Sequence, residues 1–224
     1  MGIKAIAIDY YGTLVDIKYS FRQIKGWINE KHKRFTENYD KIYFSFFKEH
    51  ARMLHSGEFI LGQQLLMNSY VKACNKYSTE CYHEEFRSFV YNLFAYPKAL
   101  PGAMDVVENL RRKYPVLLLT NADNIILYES LKMNKFKFDY VISSEDIRCN
   151  KPDRRMFLAA CSQLSQPPEF VLMIGDSLAE DIWGAANCGM RAIWVNTMNS
   201  SQVLPFLQIS EIGELCSKMM RIGG

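Results

Sequence analysis

The chain has 224 residues, of which 49% are apolar and 23% are charged, and its formal net charge is +3. This composition excludes a disordered or fibrous protein, and the length fits one large domain or two small ones. No apolar run approaches the roughly 20 residues of a membrane-spanning helix, and the first residues lack the apolar core of a signal peptide. We therefore expect a cytoplasmic protein with neither a membrane nor a nucleic acid as its partner. The six cysteines form no C-x-x-C pair, which argues against a zinc site and a disulfide framework.

Five short apolar runs are the candidate strands, and each ends in small or polar residues. They cover residues 3–9, 116–119, 140–142, 170–174 and 192–195. Such runs do not alternate with polar residues, which is typical of strands buried on both faces of a parallel sheet. Between them, residues 103–113, 124–133, 153–164 and 178–188 have apolar residues at helical spacing. The order predicts a doubly wound, Rossmann-like α/β fold whose ligands bind beyond the carboxyl ends of the strands.

Residues 17–97 differ from the rest of the chain. This segment holds 18 of the 30 aromatic residues, and between residues 17 and 96 it has no proline and no convincing strand. Its apolar residues recur at helical spacing, which predicts three to five helices in a small bundle. We expect a helical cap domain at 17–97, inserted into a core domain formed by 1–16 and 98–224. The cap would cover the site that the first strand helps to form, and its aromatic residues are expected to be mostly its own core.

Four groups of polar residues follow the predicted strands in chain order. They are Asp9-Tyr10-Tyr11-Gly12-Thr13-Leu14-Val15-Asp16, Thr120-Asn121-Ala122, Asn150-Lys151-Pro152 and Gly175-Asp176-Ser177-Leu178-Ala179-Glu180-Asp181. In this order they resemble the four motifs of the haloacid dehalogenase superfamily, and the resemblance spans residues 3 to about 196. The helical insert also resembles the cap of that superfamily. The resemblance implies a hydrolase with a carboxylate nucleophile at the end of the first strand.

The residues themselves suggest chemical roles within that resemblance. Asp9 is the predicted nucleophile, and its attack would give an aspartyl intermediate that water hydrolyses. Asp176 and Asp181 bring two more carboxylates, and the repulsion among the three amounts to several kcal/mol at an effective dielectric constant of about 20. Lys151 offsets one negative charge, so a hard divalent cation, Mg²⁺, is the predicted cofactor.

The resemblance also implies individual ligands. Asp9, Asp176 and the backbone carbonyl of Tyr11 would hold the metal, with Asp181 behind them. Thr120, Asn121 and Lys151 would hold phosphoryl oxygens through hydroxyl, amide and ammonium donors, and Thr13 is a further predicted substrate-binding residue.

Each polar residue also has a plain structural interpretation. Thr120 or Asp176 would then cap a helix, and Lys151 would be a surface lysine before a helix that begins at a proline. Taken together, these interpretations do not explain why all the groups follow predicted strands.

Two features of the motifs conflict. Phosphatases of the superfamily typically carry a second aspartate two residues after the nucleophile, as the leaving-group acid, but this chain has Tyr11 there. The D-x-Y-G-T-L form resembles that of the 2-haloacid dehalogenases, in which halide leaves without a proton. Gly175-Asp176 instead keeps the metal-binding form of a phosphotransferase, and neither Arg22 nor Arg34 is selected as a halide-binding arginine by its flanking sequence.

We therefore predict a magnesium-dependent phosphohydrolase that acts on a small phosphorylated molecule. It would act on good leaving groups, or take a proton from Tyr11, the cap or the substrate. One alternative is a 2-haloacid dehalogenase-like hydrolase that works through an aspartyl ester. A second is a ligand-binding or regulatory protein with little turnover. The oligomeric state is left as monomer or homodimer, with the cap aromatics or a C-terminal helix at 212–220 as possible interfaces.

Overall fold

The computed structural model describes residues 2–34, 37, 39–54, 57–197, 200–201, 204–215 and 217–218. At its centre lies a six-stranded sheet with the strand order β3-β2-β1-β4-β5-β6. All neighbouring strands run parallel. The strands are β1 (Ala5–Ile8), β2 (Val116–Thr120), β3 (Tyr140–Ser143), β4 (Val171–Gly175), β5 (Arg191–Val195) and β6 (Leu207–Ile209). The expected Rossmann-like α/β class is confirmed.

The sixth strand is absent from the sequence-based prediction, which had five. β6 is three residues long and pairs with β5, and only Ile209 of its residues is fully buried. A strand this short has no apolar run that sequence periodicity can detect.

Helices cover both faces of the sheet. In β1, Ile6 and Ile8 belong to one apolar cluster, whereas Ala5 and Ala7 belong to the cluster on the opposite face. The helices after the insert are α5 (Ala103–Arg111), α6 (Asn124–Asn134), α7 (Ser144–Ile147), α8 (Arg154–Gln163) and α9 (Gly184–Asn187). Short 3₁₀ helices lie at Pro168–Phe170 and Ile212–Glu214. The sequence predicted one regular helix over 178–188, but a π-helix at Leu178–Trp183 precedes α9.

Four helices lie between β1 and α5 in the chain, and we call them the inserted helices. They are α1 (Ser20–His32), α2 (Tyr39–Leu54), α3 (Gly62–Lys76) and α4 (His83–Ala95). They pack around an apolar cluster of their own, which includes Ile24, Phe46, Tyr70 and Phe86. Many of the aromatic residues of this segment are therefore structural, in line with the sequence-based expectation.

A histidine is buried among the inserted helices. His32 has no exposed surface, and its Nε2 lies 2.9 Å from the Tyr70 hydroxyl, with Nδ1 3.2 Å from the Thr79 hydroxyl. Burial lowers the pKa of His32, against a smaller opposing effect of the Glu80 charge. Protonation of this side chain is therefore unfavourable in the folded state.

Within the described part of the chain, no helix combines the length and the apolar character needed to cross a bilayer. The suggested C-terminal helix over 212–220 falls partly outside the described residues, and what is described there begins with the 3₁₀ turn at Ile212–Glu214.

Candidate active site

Asp9 and Asp176 lie side by side at the carboxyl edge of the sheet. The register pairs Ile8 of β1 with Ile174 of β4, so the residues that follow the two strands are neighbours. The backbone N–H of Asp9 donates to the carbonyl of Ile174 at 2.9 Å. This is the switch point of the sheet, because the chain winds to opposite sides from the two strands.

Three carboxylates meet at this point. Asp9, Asp176 and Asp181 each present an oxygen, and these oxygens lie within 4.8 Å of one another. Asp9 is 5% exposed and Asp181 is 1% exposed, so water screens their charges poorly. Three hard oxygen donors at this spacing fit a small divalent cation such as Mg²⁺.

Lys151 is buried between two of the carboxylates. Its Nζ donates to Asp9 Oδ1 and Asp181 Oδ1, both at 2.6 Å, and to the carbonyl of Leu119 at 2.9 Å. Burial alone would lower the pKa of Lys151, but the charges of Asp181 and Asp9 outweigh it and raise the pKa. The ammonium thus stays charged and holds the predicted nucleophile in place.

One ammonium does not balance three carboxylates. Burial raises the pKa of Asp176, and the nearby charge of Asp9 raises it further. Burial also raises the pKa of Asp181, although Lys151 opposes this effect. Both carboxyl groups therefore ionise less readily than an ordinary aspartate unless a further cation compensates their charge.

Thr13 bridges the first and the last motif. Its hydroxyl lies 3.0 Å from Asp9 Oδ2 and 3.0 Å from Asp176 Oδ1, and it accepts the backbone N–H of Asp176 at 3.0 Å. Because a hydroxyl has one proton, it can donate to one carboxylate at a time. Thr13, predicted to bind substrate, is placed to orient the two carboxylates.

Two glycines make room for these carboxylates. Gly12 has a φ of +91°, and a Cβ there would overlap the Asp176 carboxylate. A Cβ on Gly175 would overlap the carboxylate of Asp181. Both positions need glycine, Gly12 also because its backbone conformation is costly for other residues.

The second and third motifs are joined through Asn121. Its side chain accepts the Lys151 backbone N–H at 2.7 Å and donates to the Lys151 carbonyl and to Glu180, each at 3.1 Å. Thr120 is buried beside it at the end of β2. Of the predicted phosphoryl donors, Lys151 contacts Asp9 directly and Thr120 ends the strand paired with β1. The side chain of Asn121 fixes the loop that holds Lys151.

The hydroxyl of Tyr11 points away from the carboxylates. It donates to the carbonyl of Phe94 in α4 at 2.9 Å. Burial raises the pKa of Tyr11, and the charges of neighbouring acidic groups raise it further. Tyr11 is therefore a weak acid with an engaged proton, while its backbone carbonyl stays a predicted metal ligand.

The structure contradicts the purely structural interpretations of Thr120, Asp176 and Lys151. Helix α6 has Asp123 rather than Thr120 at its N-cap position, and the π-helix has Ser177 rather than Asp176. Lys151 is 3% exposed and is not a surface residue.

Asp123 is a residue that sequence reasoning missed. Its carboxylate accepts the backbone N–H groups of Gly62 at 2.6 Å and of Gln63 at 2.8 Å, in the first turn of α3. Burial raises the pKa of Asp123, and these two hydrogen bonds oppose the effect. Asp123 joins the sheet to the inserted helices. In the sequence, the only indication of a role for Asp123 is its position two residues after Asn121.

A cavity of about 310 Å³ lies between the inserted helices and the carboxyl edge of the sheet. Tyr11, Asn121 and Glu180, which follow three different strands, form its floor. Arg22 and Arg34 are both exposed, and neither lines this cavity. The structure therefore brings no halide-binding arginine to the site from these two candidates.

A switch-point site with a buried carboxylate, a lysine and further acidic groups fits the hydrolase class predicted from the sequence. Residues 3–189 match the model of the haloacid dehalogenase-like hydrolase family. The chain belongs to this family.

The curated relatives include phosphatases. The pyrimidine 5'-nucleotidase YjjG of Escherichia coli (strain K12) is 29% identical over 122 residues, which are 52% of this chain and 54% of that protein. The chain thus aligns with about half the length of the curated relatives it matches.

Solved structures share the fold over nearly the whole chain. The hydrolase YfnB of Bacillus subtilis, bound to magnesium, has a TM-score of 0.77 at 19% identity and covers 98% of this chain and 100% of its own. The L-2-haloacid dehalogenase of Xanthobacter autotrophicus, with chloropropionic acid covalently bound, has a TM-score of 0.71 at 16% identity and covers 98% of each chain.

Proposed function

We propose that this chain is a magnesium-dependent phosphohydrolase that transfers the phosphoryl group of a small monoester to Asp9 and then to water. One observation carries the proposal: the oxygens of Asp9, Asp176 and Asp181 converge within 4.8 Å. A single buried ammonium, that of Lys151, lies among them in the described part of the chain. A site built in this way favours a divalent cation and a substrate that shares it.

The carboxylates of Asp9, Asp176 and Asp181 would hold the Mg²⁺, with the carbonyl of Tyr11 as the predicted further ligand. Bound there, Mg²⁺ would neutralise the charge of the phosphoryl group that faces the nucleophile. Lys151 would stay on Asp9 Oδ1 and keep this carboxylate oriented.

The reaction would proceed in two displacements at phosphorus. A carboxylate oxygen of Asp9 forms a bond to phosphorus while the ester oxygen leaves with the bonding electrons and takes a proton from water. Water then attacks the phosphorus of the aspartyl phosphate, which releases inorganic phosphate and restores the carboxylate. Thr120 would donate to the phosphoryl oxygens through its hydroxyl and Asn121 through its backbone N–H. Lys151 would donate to them by releasing the carbonyl of Leu119.

The leaving group shapes this proposal. Tyr11 takes the place of the expected acid, and its hydroxyl already donates to the carbonyl of Phe94. Without a leaving-group acid, poor leaving groups would react roughly 10²- to 10⁴-fold more slowly. We infer that the substrate has a leaving group that is stable as an anion, such as an aryl or acyl oxygen.

The partner in this proposal is a small phosphorylated molecule in the cytoplasm, with neither nucleic acid nor a membrane involved. The protein would act as a monomer or a homodimer.

A haloacid dehalogenase is the second candidate, and Tyr11 favours it, because a departing halide needs no proton. Asp9 would then attack the carbon that bears the halogen, halide would leave with the bonding electrons, and water would hydrolyse the ester. The cluster of Asp176 and Asp181 beside Asp9 counts against this reaction, since it gathers negative charge that a halide substrate and its departing anion would not relieve.

A parallel assay separates the candidates. Release of phosphate from aryl and acyl phosphates and of chloride from 2-chloropropionate is measured with the purified chain, with Mg²⁺ and with chelator. We expect magnesium-dependent phosphate release, lost by at least about 10³-fold in Asp9→Asn. Asp16→Asn is the matched control, since Asp16 is an exposed carboxylate of the same loop.

Chloride release that does not need magnesium would establish the dehalogenase and overturn the phosphohydrolase. Magnesium binding measured by calorimetry, with no turnover of any of these substrates, would support the low-turnover binding protein instead.

A further inference from the structure

The wall of the 310 Å³ cavity is largely apolar and aromatic. Phe21 of α1, Leu66 of α3 and Phe94 of α4 contribute from the inserted helices, and Ile126 contributes from α6. The Tyr11 and Phe94 rings meet edge to face, with centroids 6.0 Å apart, beside the loop that carries the nucleophile. Such a wall desolvates a flat apolar group well and a strongly hydrated one poorly.

The charges at this wall are not suited to an anion. No lysine or arginine lines the cavity among the residues that the structure describes, while Asp123 and Glu180 do. His50 also faces the cavity, and burial lowers the pKa of this histidine, so it is neutral near pH 7. A leaving group with a charged substituent such as a carboxylate would therefore place that charge in a region without a compensating cation.

The size of the cavity limits the leaving group as well. A volume of 310 Å³ is at the lower end of the ~300–1,000 Å³ usual for small-molecule sites. It can hold a group of one or two rings.

We propose that the substrate is a phosphate monoester whose leaving group is a neutral, largely apolar group of one or two rings, and that the cavity rejects leaving groups that carry a carboxylate. This inference rests on the proposed phosphohydrolase function and adds the chemical class of the substrate. It also agrees with the missing acid, because an aryl oxygen departs as a stabilised phenolate. In the transfer step the Asp9 oxygen to phosphorus bond forms, the aryl oxygen to phosphorus bond breaks, and the phenolate takes its proton from water.

A matched pair of esters tests the proposal. Phenyl phosphate and 4-carboxyphenyl phosphate differ by one charged group, and phosphate release from each is measured with the full chain and Mg²⁺. We expect kcat/KM to be roughly 10²-fold higher for phenyl phosphate, because the carboxylate would be buried without a partner.

Adding a cation to the rim should reduce this preference. Phe21 is 38% exposed at the cavity, so Phe21→Arg is compatible with folding. We expect Phe21→Arg to reduce the ratio of the two kcat/KM values about tenfold, because the guanidinium would donate hydrogen bonds to the carboxylate. Phe44→Arg is the control, since Phe44 is 62% exposed on α2 and does not line the cavity.

Hydrolysis of both esters with kcat/KM values within about threefold would overturn the substrate class and leave the phosphohydrolase standing. If Phe21→Arg and Phe44→Arg change the ratio of the two kcat/KM values equally, the preference for phenyl phosphate comes from the overall charge of the protein. That result would contradict a role for the cavity. No phosphate release from either ester, while an acyl phosphate is still hydrolysed with Mg²⁺, would overturn the inference and leave the phosphohydrolase standing. No release from any aryl or acyl phosphate would overturn both.

Discussion

Replacing Asp123 by asparagine should loosen the contact between the inserted helices and the sheet. The carboxylate accepts two N–H groups of α3, at 2.6 and 2.8 Å, and is 8% exposed. An amide offers one oxygen and one NH₂ group, so in Asp123→Asn one N–H of α3 would face a donor. A hydrogen bond to a charged group contributes about 1.5–3 kcal/mol, and a buried donor without a partner costs about 1–3 kcal/mol. We expect the free energy of unfolding to fall by about 2–4 kcal/mol.

Urea unfolding measures this loss, and amide hydrogen exchange at Gly62 and Gln63 shows where it occurs. The control is Asp153→Asn, because the half-buried Asp153 carboxylate accepts the Arg155 N–H at the start of its own helix α8. Asparagine is about as good an N-cap as aspartate, so this variant should stay close to wild type. An Asp123→Asn protein with wild-type stability and unchanged exchange at the two amides would refute the reasoning.

Three further substitutions test the site and the helices. Lys151→Met leaves buried carboxylates without their cation, so we expect the free energy of unfolding to fall by about 3–5 kcal/mol and activity to be lost. A fall below about 1 kcal/mol in urea unfolding would contradict this expectation. Gly175→Ala places a methyl group against Asp181 and should abolish magnesium-dependent phosphate release. The control Gly26→Ala adds its methyl group in open space within α1 and should retain this activity. Equal activities of the two variants would disprove the steric argument. His32 has a lowered pKa, so the unfolded chain binds more protons and stability should fall as the pH drops through about 6.5. His32→Gln should flatten this dependence in urea unfolding at pH 5.5 and 7.5, and an unchanged slope would count against it.

The fold could be predicted from the sequence because the strands are buried on both faces. Runs such as Val116–Thr120 are continuous and apolar, and each is followed by polar residues where the sheet ends. The positions of Asp9 and Asp176 follow from the same fact, since parallel strands end at one edge. Lys151 does not directly follow a strand, because helix α7 lies between β3 and this residue.

Contacts between distant parts of the chain could not be predicted in this way. The bonds of Asp123 to α3 join residues about 60 positions apart, and no local pattern encodes them. The engagement of the Tyr11 hydroxyl by Phe94 likewise depends on how α4 packs. The hydrogen bonds of the π-helix at Leu178–Trp183 span one residue more than those of an α-helix. Over six residues this difference is too small for the spacing of apolar residues to distinguish the two kinds of helix.

The central place of β1 has a consequence for how the molecule opens. Ala5–Ile8 has no exposed surface and is paired on both sides, with β2 and β4. Segments of this kind exchange their amide hydrogens only in the rarest and largest unfolding events, whereas peripheral helices open more often. The inserted helices can therefore separate from the sheet many times while the strand that carries Asp9 stays closed. Asp9, the predicted nucleophile, directly follows the part of the protein that is last to unfold.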